Sequence, residues 1–407
     1  YAHMVKIAVM GHGVVGSGVC EVFYKNRESI QKKAGREMDI KYVLDLRDFP
    51  DTPYADKFTK NFDDIVNDDE VQIVVETMGG VTFAYEYVKA CLQAGKSVAT
   101  SNKELVAKHG AELLSIANEK NVNFLFEASV AGGIPILRPL NQCLAANELS
   151  DIYGILNGTT NYILTKMIYE GVSFEDALKN AQELGYAEKD PTADVEGYDA
   201  CRKVCILSSL AFGKHVYPEQ VYTEGITKIT LSDVAFAEKA GYVIKLIGKT
   251  SIMNKHNTVF ATVYPALIPV SSQLANVNDV YNAVMVRGDA IGDALFYGKG
   301  AGKLPTASAV VADVVDCAKH LTARKFVNWT DGSEGYVENY KNDSVGFYVR
   351  MSGGMDIAKA TFENASFIEG ANGEFAMITE TMQESVFDEM IEKCSGFVLS
   401  KIRILSI

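Results

Sequence analysis

The chain has 407 residues, of which 48% are hydrophobic and 22% are charged, as is ordinary for a globular protein of two or three domains. Its net charge of −13 argues against a nucleic-acid partner or an anionic membrane surface, because both would require a basic patch. No apolar run approaches the ~20 residues of a membrane span. The seven scattered cysteines indicate reduced thiols rather than a disulfide framework or a metal site. We therefore expect a cytoplasmic protein with neither a nucleic-acid nor a membrane partner.

A glycine-rich turn directly follows the first predicted strand. Residues 5–10 form a short β-branched run, and a helix is predicted after the turn. In this setting GxGxxG supplies a tight turn, a close approach of backbone to a pyrophosphate, and close packing of helix on strand. The phosphates would then meet the N-terminus of the helix. The candidate cofactor-binding residues here are Gly11, Gly13, Val14, Val15 and Gly16.

The second predicted strand, residues 41–46, ends beside an acid and a base. An acid at this position suits the ribose hydroxyls of NAD, which Asp45 could bind, whereas an arginine suits the 2′-phosphate of NADP. Arg47 therefore favours a site that tolerates NADP(H), and NAD(H) remains the alternative cofactor.

The next segments alternate between buried strands and helices. Strands are predicted at 71–76, 97–100 and 122–126, with helices at 84–94 and 104–118. This alternation predicts a doubly wound parallel sheet. Ligands bind outside the carboxyl ends of such strands, where Thr77 and Lys103 stand.

Two turns rich in small residues follow. Paired glycines in residues 127–135 would leave backbone carbonyls free to converge on a ligand or a hard cation, although a plain turn is the alternative. After a strand at 152–156, residues 157–161 offer neutral hydrogen-bonding groups at a helix start. These groups suit a small polar ligand, and ordinary helix caps are the alternative.

The stretch from Gly185 to Lys203 is dense in charge yet runs into an apolar helix. Asp190 and the proline after it are typical of a helix start. Asp199, Lys203, Ile206 and Leu210 then recur on one helical face, beside an apolar row that should face the core. A surface ion pair is the plain interpretation. The position of the two charges at the edge of a buried face favours a functional one.

The remainder indicates two further parts. Strands around 225–229, 242–250 and 258–264 suggest a mixed α+β second domain. A glycine-rich run at 297–309 leads into a helix at 309–319, which we expect to pack back on the first domain. After a polar linker at 331–343, residues 346–404 have the order βαββαβ.

Together these motifs resemble, in order, those of homoserine dehydrogenases over about residues 4–330. The most specific are Gly185-Tyr-Ala, Asp190-Pro191, Asp194-Val195, Gly197, Asp199 and Lys203, supported by Ser101-Asn102-Lys103, the 127–135 and 157–161 turns, and the run GKGAGKLPTASAV. The C-terminal unit is similar to an ACT regulatory domain. Its first loop, residues 352–355, lacks the usual Asp-x-Pro-Gly-like turn.

The resemblance implies an α/β architecture of three domains. Residues 1–130 with about 305–335 would form the NAD(P)-binding Rossmann domain, 131–304 an α+β substrate-binding and dimerisation domain, and 344–407 the ACT-like domain. The protein would be a homodimer or homotetramer, with a possible amino-acid effector at the ACT-like domain.

The implied activity interconverts L-aspartate 4-semialdehyde and L-homoserine with NADP(H) or NAD(H), in threonine, methionine and isoleucine biosynthesis. Lys203, Asp199 and Lys103 would be catalytic, with Lys203 handling the hydroxyl proton. The substrate would also be bound by Gly185, Glu188 and Thr160, and the cofactor by Thr77, Lys103 and Gly300. Glu127 with the carbonyls of Val130, Gly132 and Ile134 matches the sodium site of the family.

Two other functions make different demands on the sequence. An aspartate-semialdehyde dehydrogenase would need a cysteine nucleophile in a glycine-flanked loop at a strand end, and no cysteine stands in such a loop. A non-catalytic NAD(P)-binding amino-acid sensor would be favoured if the charged residues of 185–203 were missing. All of them are present.

Overall fold

The computed structural model describes residues 3–253 and 255–407, and they form two compact units. The first unit combines the chain up to Glu148 with Cys205–Pro218 and Phe296–Gly332. The second unit comprises Leu149–Val204, Glu219–Leu295 and Ser333–Ile407. The finer division into three domains stays a prediction.

The first unit is built on a parallel sheet of six strands in the order β3-β2-β1-β4-β5-β6. These strands are β1 (Val5–Met10), β2 (Met38–Leu44), β3 (Phe58–Thr59), β4 (Val71–Glu76), β5 (Ser97–Thr100) and β6 (Phe124–Leu125). The predicted doubly wound parallel sheet is therefore confirmed. β6 is shorter than the predicted 122–126, and β2 begins earlier than predicted.

The second unit is built on a mixed sheet of eleven strands. They are β7 (Leu149–Ile155), β8 (Tyr222–Thr223), β9 (Tyr242–Met253), β10 (Thr258–Pro269), β11 (Tyr281–Gly288), β12 (Gly292–Lys299), β13 (Ser344–Ser352), β14 (Ser366–Glu369), β15 (Glu374–Ile378), β16 (Met382–Gln383) and β17 (Val398–Ile404). The main path is β12-β11-β7-β9-β10-β17-β13-β15-β14, while β16 pairs with β13 and β8 with β10. The strand predicted around 225–229 is not formed, and its place in the sheet is taken by the short β8.

The helices follow the predicted alternation. They are α1 (Val14–Lys25), α2 (Arg27–Ala34), α3 (Asp63–Val66), α4 (Thr82–Gln93), α5 (Lys103–Lys120), α6 (Ala128–Ala131), α7 (Gly158–Glu170), α8 (Phe174–Glu183), α9 (Thr192–Val195), α10 (Tyr198–Phe212), α11 (Leu231–Lys239), α12 (Lys303–Lys319), α13 (Met355–Thr361) and α14 (Glu384–Ile391). In the first unit, Val19 and Phe23 of α1 share a core with Val310 and Val314 of α12. The prediction that this late helix packs back on the nucleotide-binding sheet is confirmed.

The C-terminal segment follows the predicted βαββαβ order as β13-α13-β14-β15-α14-β17, with one unpredicted two-residue strand, β16, between β15 and α14. Its last strand, β17, lies between β10 and β13 in the sheet. It is parallel to β10 and antiparallel to β13. Phe347 and Phe387 share one buried core with Ile247 and Tyr264 of β9 and β10. The tail is therefore a continuation of the second unit's sheet. Its assignment as an ACT-like domain stays a prediction.

Within residues 3–253 and 255–407, no helix is both long enough and apolar enough to cross a bilayer. The seven cysteines are free, and all except Cys143 are buried, which agrees with the predicted reduced thiols.

Candidate active site

The glycine-rich turn joins β1 to α1 and leaves no room for a side chain at Gly11 or Gly16. Gly11 adopts a φ of +96°, and a Cβ atom on Gly16 would lie 1.9 Å from the Gly11 carbonyl oxygen. Thr77 closes the turn from the end of β4, because its hydroxyl donates to the Met10 carbonyl at 2.9 Å. The amides that open α1 at Val14 thus stand at the carboxyl edge of the sheet, where a pyrophosphate would bind.

An ion pair occupies the end of β2 beside this turn. Arg47 Nε and Nη2 each lie 3.1 Å from the Asp45 carboxylate, and the His12 amide donates to the same carboxylate at 2.8 Å. Burial would raise the pKa of Asp45, but the hydrogen bonds from Arg47 and His12 outweigh it and lower the pKa to about 2. The Arg47 side chain is 64% exposed. A charged carboxylate and an accessible guanidinium are therefore both presented at this edge.

A buried carboxyl group, Glu76, holds the start of the helix that carries Lys103. Glu76 is 0% exposed at the end of β4, and it accepts hydrogen bonds from Asn102 Nδ2 at 2.9 Å and from the Met78 amide at 3.1 Å. Asn102 in turn caps α5 by accepting from the Leu105 amide at 3.1 Å. Lys103, half-buried, is the first residue of that helix. Sequence reasoning missed Glu76, although an acid ending an apolar strand run was a usable signal.

The 127–135 loop is shaped by a buried carboxylate. Glu127 is 3% exposed, and its carboxylate accepts from the amides of Leu137 at 2.7 Å and Arg138 at 3.1 Å. The Glu127 amide donates to Asp313 at 2.9 Å. Burial raises the pKa of Asp313 to about 7, although the positive charge of Arg138 acts to lower it. Arg138 also donates a hydrogen bond to the Asp313 carboxylate. The Glu127 side chain therefore ties the start of the loop to Leu137 and Arg138, just beyond its end.

The same loop lies against the glycine-rich run before α12. Gly132 adopts a φ of +55°, and a Cβ atom there would lie 2.3 Å from the Gly300 carbonyl oxygen. The Gly133 amide donates to Lys299 at 3.2 Å. Val130 and Ile134 are buried at 1% and 3% exposure. In the described part of the chain, no cluster of three or more His, Cys, Asp or Glu residues could hold a metal ion.

In the second unit, Asp199 and Lys203 form a buried ion pair on the first turns of α10. Lys203 Nζ lies 2.8 Å from Asp199 Oδ2 and donates to the Leu156 carbonyl at 2.5 Å. Asn157 Nδ2 donates to the same Asp199 oxygen at 2.9 Å. The side chains of Lys203 and Asp199 are only 9% and 8% exposed, so the surface-pair interpretation is wrong. The Leu156 carbonyl could not be recognised as a partner from the sequence.

The chain breaks into two helices just before this pair. Asp190 accepts from the Thr192 amide at 3.2 Å and starts the short α9, and Gly197, at a φ of +86°, separates α9 from α10. The sequence predicted the helix start at Asp190 but not the break. Because of the break, Asp194 and Asp199 lie on either side of Asn157, whose Nδ2 also donates to Asp194 at 2.7 Å.

The 157–161 turn both caps α7 and contacts the charged stretch. Asn157 accepts from the Thr160 amide at 2.8 Å, and the buried Thr160 hydroxyl lies 3.0 Å from the Asn157 side-chain oxygen. The Thr159 hydroxyl donates to the Tyr186 carbonyl. Gly185 and Glu188, on either side of Tyr186, are exposed. The structure thus joins this turn to residues 185–199, and the individual roles of Thr160, Gly185 and Glu188 stay predictions.

The first unit has a parallel sheet with a glycine-rich turn after its first strand, and the second unit buries an ordered lysine–aspartate pair. These features define a nucleotide-dependent enzyme. Comparisons with known families specify it. The family described as "Homoserine dehydrogenase" matches residues 135–315, and "Homoserine dehydrogenase, NAD binding domain" matches residues 11–127.

Named relatives agree over most of the chain. The homoserine dehydrogenase of Pseudomonas aeruginosa is 45% identical over 322 residues, covering 78% of this chain and 73% of the relative. That of Bacillus subtilis is 37% identical over 410 residues, covering 95% of this chain and 94% of the relative. The chain belongs to the homoserine dehydrogenase family and is an NAD(P)-dependent oxidoreductase.

Solved structures give the same result. A homoserine dehydrogenase from Thiobacillus denitrificans superposes with a TM-score of 0.91 at 36% identity, over 100% of this chain and 99% of that chain. A hyperthermophilic archaeal homoserine dehydrogenase in complex with NADPH superposes with a TM-score of 0.65 at 27% identity, over 77% of this chain and 98% of that chain.

The buried Glu76 predicts a specific pH dependence of stability. Burial raises its pKa from 4.5 to about 7, against hydrogen bonds from Asn102, Met78 and Thr100 that favour the charged form. A raised carboxyl pKa stabilises the fold fully below pH 4.5, and this stabilisation is lost as the pH rises through 7. The unfolding free energy of the wild type should therefore decrease between pH 5.5 and 8.5 by about 2 kcal/mol more than that of Glu76→Gln, which has no carboxyl to titrate. Urea denaturation at the two pH values measures both decreases.

Glu86→Gln, an exposed change on α4 of the same unit, is the matched control and should follow the wild-type pH dependence. Parallel curves for Glu76→Gln and the wild type would contradict this account of the Glu76 carboxyl.

Proposed function

We propose that Asp199 and Lys203 carry the proton transfer of the homoserine dehydrogenase reaction. The observation that carries this proposal is their burial as a pair at the start of α10. The Leu156 carbonyl fixes Lys203, and the side-chain amide of Asn157 fixes Asp199. A desolvated ammonium held at a set position is a suitable proton donor or acceptor. An ion pair that served stability alone would bring little advantage over apolar packing at such a site.

The reaction requires two transfers at one carbon–oxygen bond. When bound, the nicotinamide cofactor supplies the hydride that reduces the aldehyde carbon of L-aspartate 4-semialdehyde. In that direction the Lys203 ammonium gives a proton to the developing alkoxide oxygen, forming the hydroxyl group of L-homoserine. In the reverse direction Lys203 receives that proton. Asp199 keeps the ammonium oriented, and Asn157 keeps Asp199 in place.

The other end of the substrate is assigned to the exposed loop beside α7. Glu188 offers a carboxylate for the substrate amino group, and Gly185, with a φ of +80°, leaves the backbone open for close approach. Thr160 is assigned to the same substrate, and its hydroxyl also hydrogen-bonds to Asn157 at the cap of α7.

The cofactor is assigned to the carboxyl edge of the parallel sheet. Its pyrophosphate would lie on the glycine-rich turn at the start of α1, with Thr77 and Gly300 as further contacts. Lys103, set at the N-terminus of α5 by the Glu76–Asn102 hydrogen bond, is assigned as the catalytic lysine of the nucleotide-binding unit.

A sodium ion is assigned to the 127–135 loop. Because the Glu127 carboxylate accepts the amides of Leu137 and Arg138, the ligands would be the main-chain carbonyls of Glu127, Val130, Gly132 and Ile134. Four neutral oxygens suit a monovalent cation of low charge.

The wider setting follows from the family. The enzyme would act in threonine, methionine and isoleucine biosynthesis as a homodimer or homotetramer, with a possible amino-acid effector on the ACT-like tail. The alternative of a non-catalytic sensor has no support from the site, since a sensor would not require the buried Asp199–Lys203 pair.

The proton-transfer role is tested by removing the ammonium. Lys203→Met and Asp199→Asn should each lower kcat by roughly 10²- to 10⁴-fold, because a positioned proton donor contributes about that factor. The KM for NADPH should stay near the wild-type value. NADPH oxidation with aspartate 4-semialdehyde, followed spectrophotometrically, gives both constants.

Lys166→Met is the matched control, because Lys166 forms an i,i+4 pair with Glu170 on the exposed face of α7. It should retain wild-type kinetics. Near-normal turnover in Lys203→Met would overturn the proposed role.

Cofactor preference is tested at Arg47. If its exposed guanidinium binds the 2′-phosphate, Arg47→Ala should raise the KM for NADPH by about tenfold, the value of one charged hydrogen bond, and leave the KM for NADH unchanged. Reduction of aspartate 4-semialdehyde with each cofactor, followed spectrophotometrically, measures the two constants.

Lys60→Ala removes a similarly exposed cation that pairs with Asp48 in the same region, and it should change neither KM. Equal increases for both cofactors in Arg47→Ala would show that Arg47 does not read the 2′-phosphate.

A further inference from the structure

Arg403 is the most enclosed cation of residues 344–407. It lies on β17, where it pairs with Ala266 of β10 and Phe347 of β13, and it is 7% exposed. Its guanidinium carbon lies 4.7 Å from the centre of the Tyr264 ring and 5.1 Å from that of Tyr222. A charge enclosed by rings and sheet requires anionic partners.

Two carboxylates from different parts of the second unit meet this guanidinium. Glu384, at the start of α14, accepts from Arg403 Nε at 3.0 Å and from Nη2 at 2.5 Å. Glu224, just after β8, accepts from Nη1 at 2.8 Å. Burial opposes the charge, but these two carboxylates outweigh it and raise the pKa of Arg403 above its ordinary value. Arg403 thus ties the C-terminal segment to residue 224.

The backbone around Glu224 supports the break between α9 and α10. The Ile226 amide donates to the Val195 carbonyl at 2.8 Å. A Cβ atom on Gly225 would lie 2.0 Å from that same carbonyl oxygen, and one on Gly197 would lie 3.1 Å from the Glu224 carbonyl oxygen. The segments 223–226 and 195–197 are therefore in backbone contact and cannot shift independently.

The supported break leads directly into the proposed catalytic pair. Asp194 precedes it and Asp199 follows it, and Asn157 Nδ2 binds both carboxylates. A displacement of residues 195–197 would therefore move Asp199 relative to Asn157 and the Leu156 carbonyl. Misplacement of a reacting group by as little as ~1 Å is enough to cost activity.

We propose that Arg403 and Glu224 are positioning residues for Asp199 and Lys203, so that the last strand of the chain sets the geometry of the substrate site. This inference rests on the proposed roles of Asp199 and Lys203. It gives the C-terminal segment a part in catalysis through a contact within the unit's own sheet, whether or not an effector binds there.

Glu224 and Glu384 offer a matched comparison, because each supplies one carboxylate to Arg403 but only Glu224 belongs to the supporting segment. Glu224→Ala should change kcat or the substrate KM by about 3- to 30-fold, the usual range for coupling through a contact network, with an unchanged KM for NADPH. Glu224→Gln should recover most of the loss, since its amide oxygen still accepts from Arg403. Glu384→Gln should lower the unfolding temperature but leave kcat and both KM values within about twofold of wild type.

The proposal is overturned by wild-type kinetics in Glu224→Ala, or by equal kinetic changes in Glu224→Ala and Glu384→Gln. A Glu224→Gln variant as impaired as Glu224→Ala would also contradict it, because the hydrogen bond would then not be the relevant contact. Lys203→Met reports separately on the proposed proton transfer: if it retains turnover, that role fails, and the Glu224 comparison still shows whether the tail affects substrate KM.

Discussion

The burial of one ion pair is the constraint on which the substrate site depends. Asp199 and Lys203 are taken almost completely out of water, and a buried charge is stable only when its partners are fixed. The structure supplies a carbonyl at the end of β7 for the ammonium and an amide at the cap of α7 for the carboxylate. Both partners come from a single strand-to-helix turn, so the position of that turn determines the position of the pair.

The same principle orders the nucleotide-binding unit. Glu76 is buried at the end of β4, where it fixes Asn102 and hence the first turn of the helix that carries Lys103. Glu127 is buried at the start of the 127–135 loop, and its carboxylate accepts the amides of Leu137 and Arg138 just beyond the loop. In each case a carboxylate is costly to bury, and backbone or side-chain amide donors compensate that cost.

Much of the fold could be predicted because its signals are local. The strand–turn–helix at Gly11–Gly16 and the buried run of β4 are set by residues adjacent in sequence, and both are as predicted. The two-residue strands β6 and β8 were misjudged, because so short a pairing leaves no periodic pattern. The charged face of α10 indicated that Asp199 and Lys203 would be buried together. Their fixing partners could not be predicted, since Leu156 contributes only a backbone carbonyl and lies 47 residues from Lys203. Arg403 and Glu224 are 179 residues apart, and only the insertion of β17 beside β10 brings them together.

The central claim is that Asp199 and Lys203 act as one unit, and a double-mutant cycle tests it most directly. Residues that act as a unit are strongly non-additive, because removing either one removes the function of both. The account predicts that Asp199→Asn/Lys203→Met loses no more kcat with aspartate 4-semialdehyde and NADPH than Lys203→Met alone, to within about threefold. If the two residues act independently, the fold-loss in kcat of the double variant will equal the product of the fold-losses of the two single variants. That result would contradict the account.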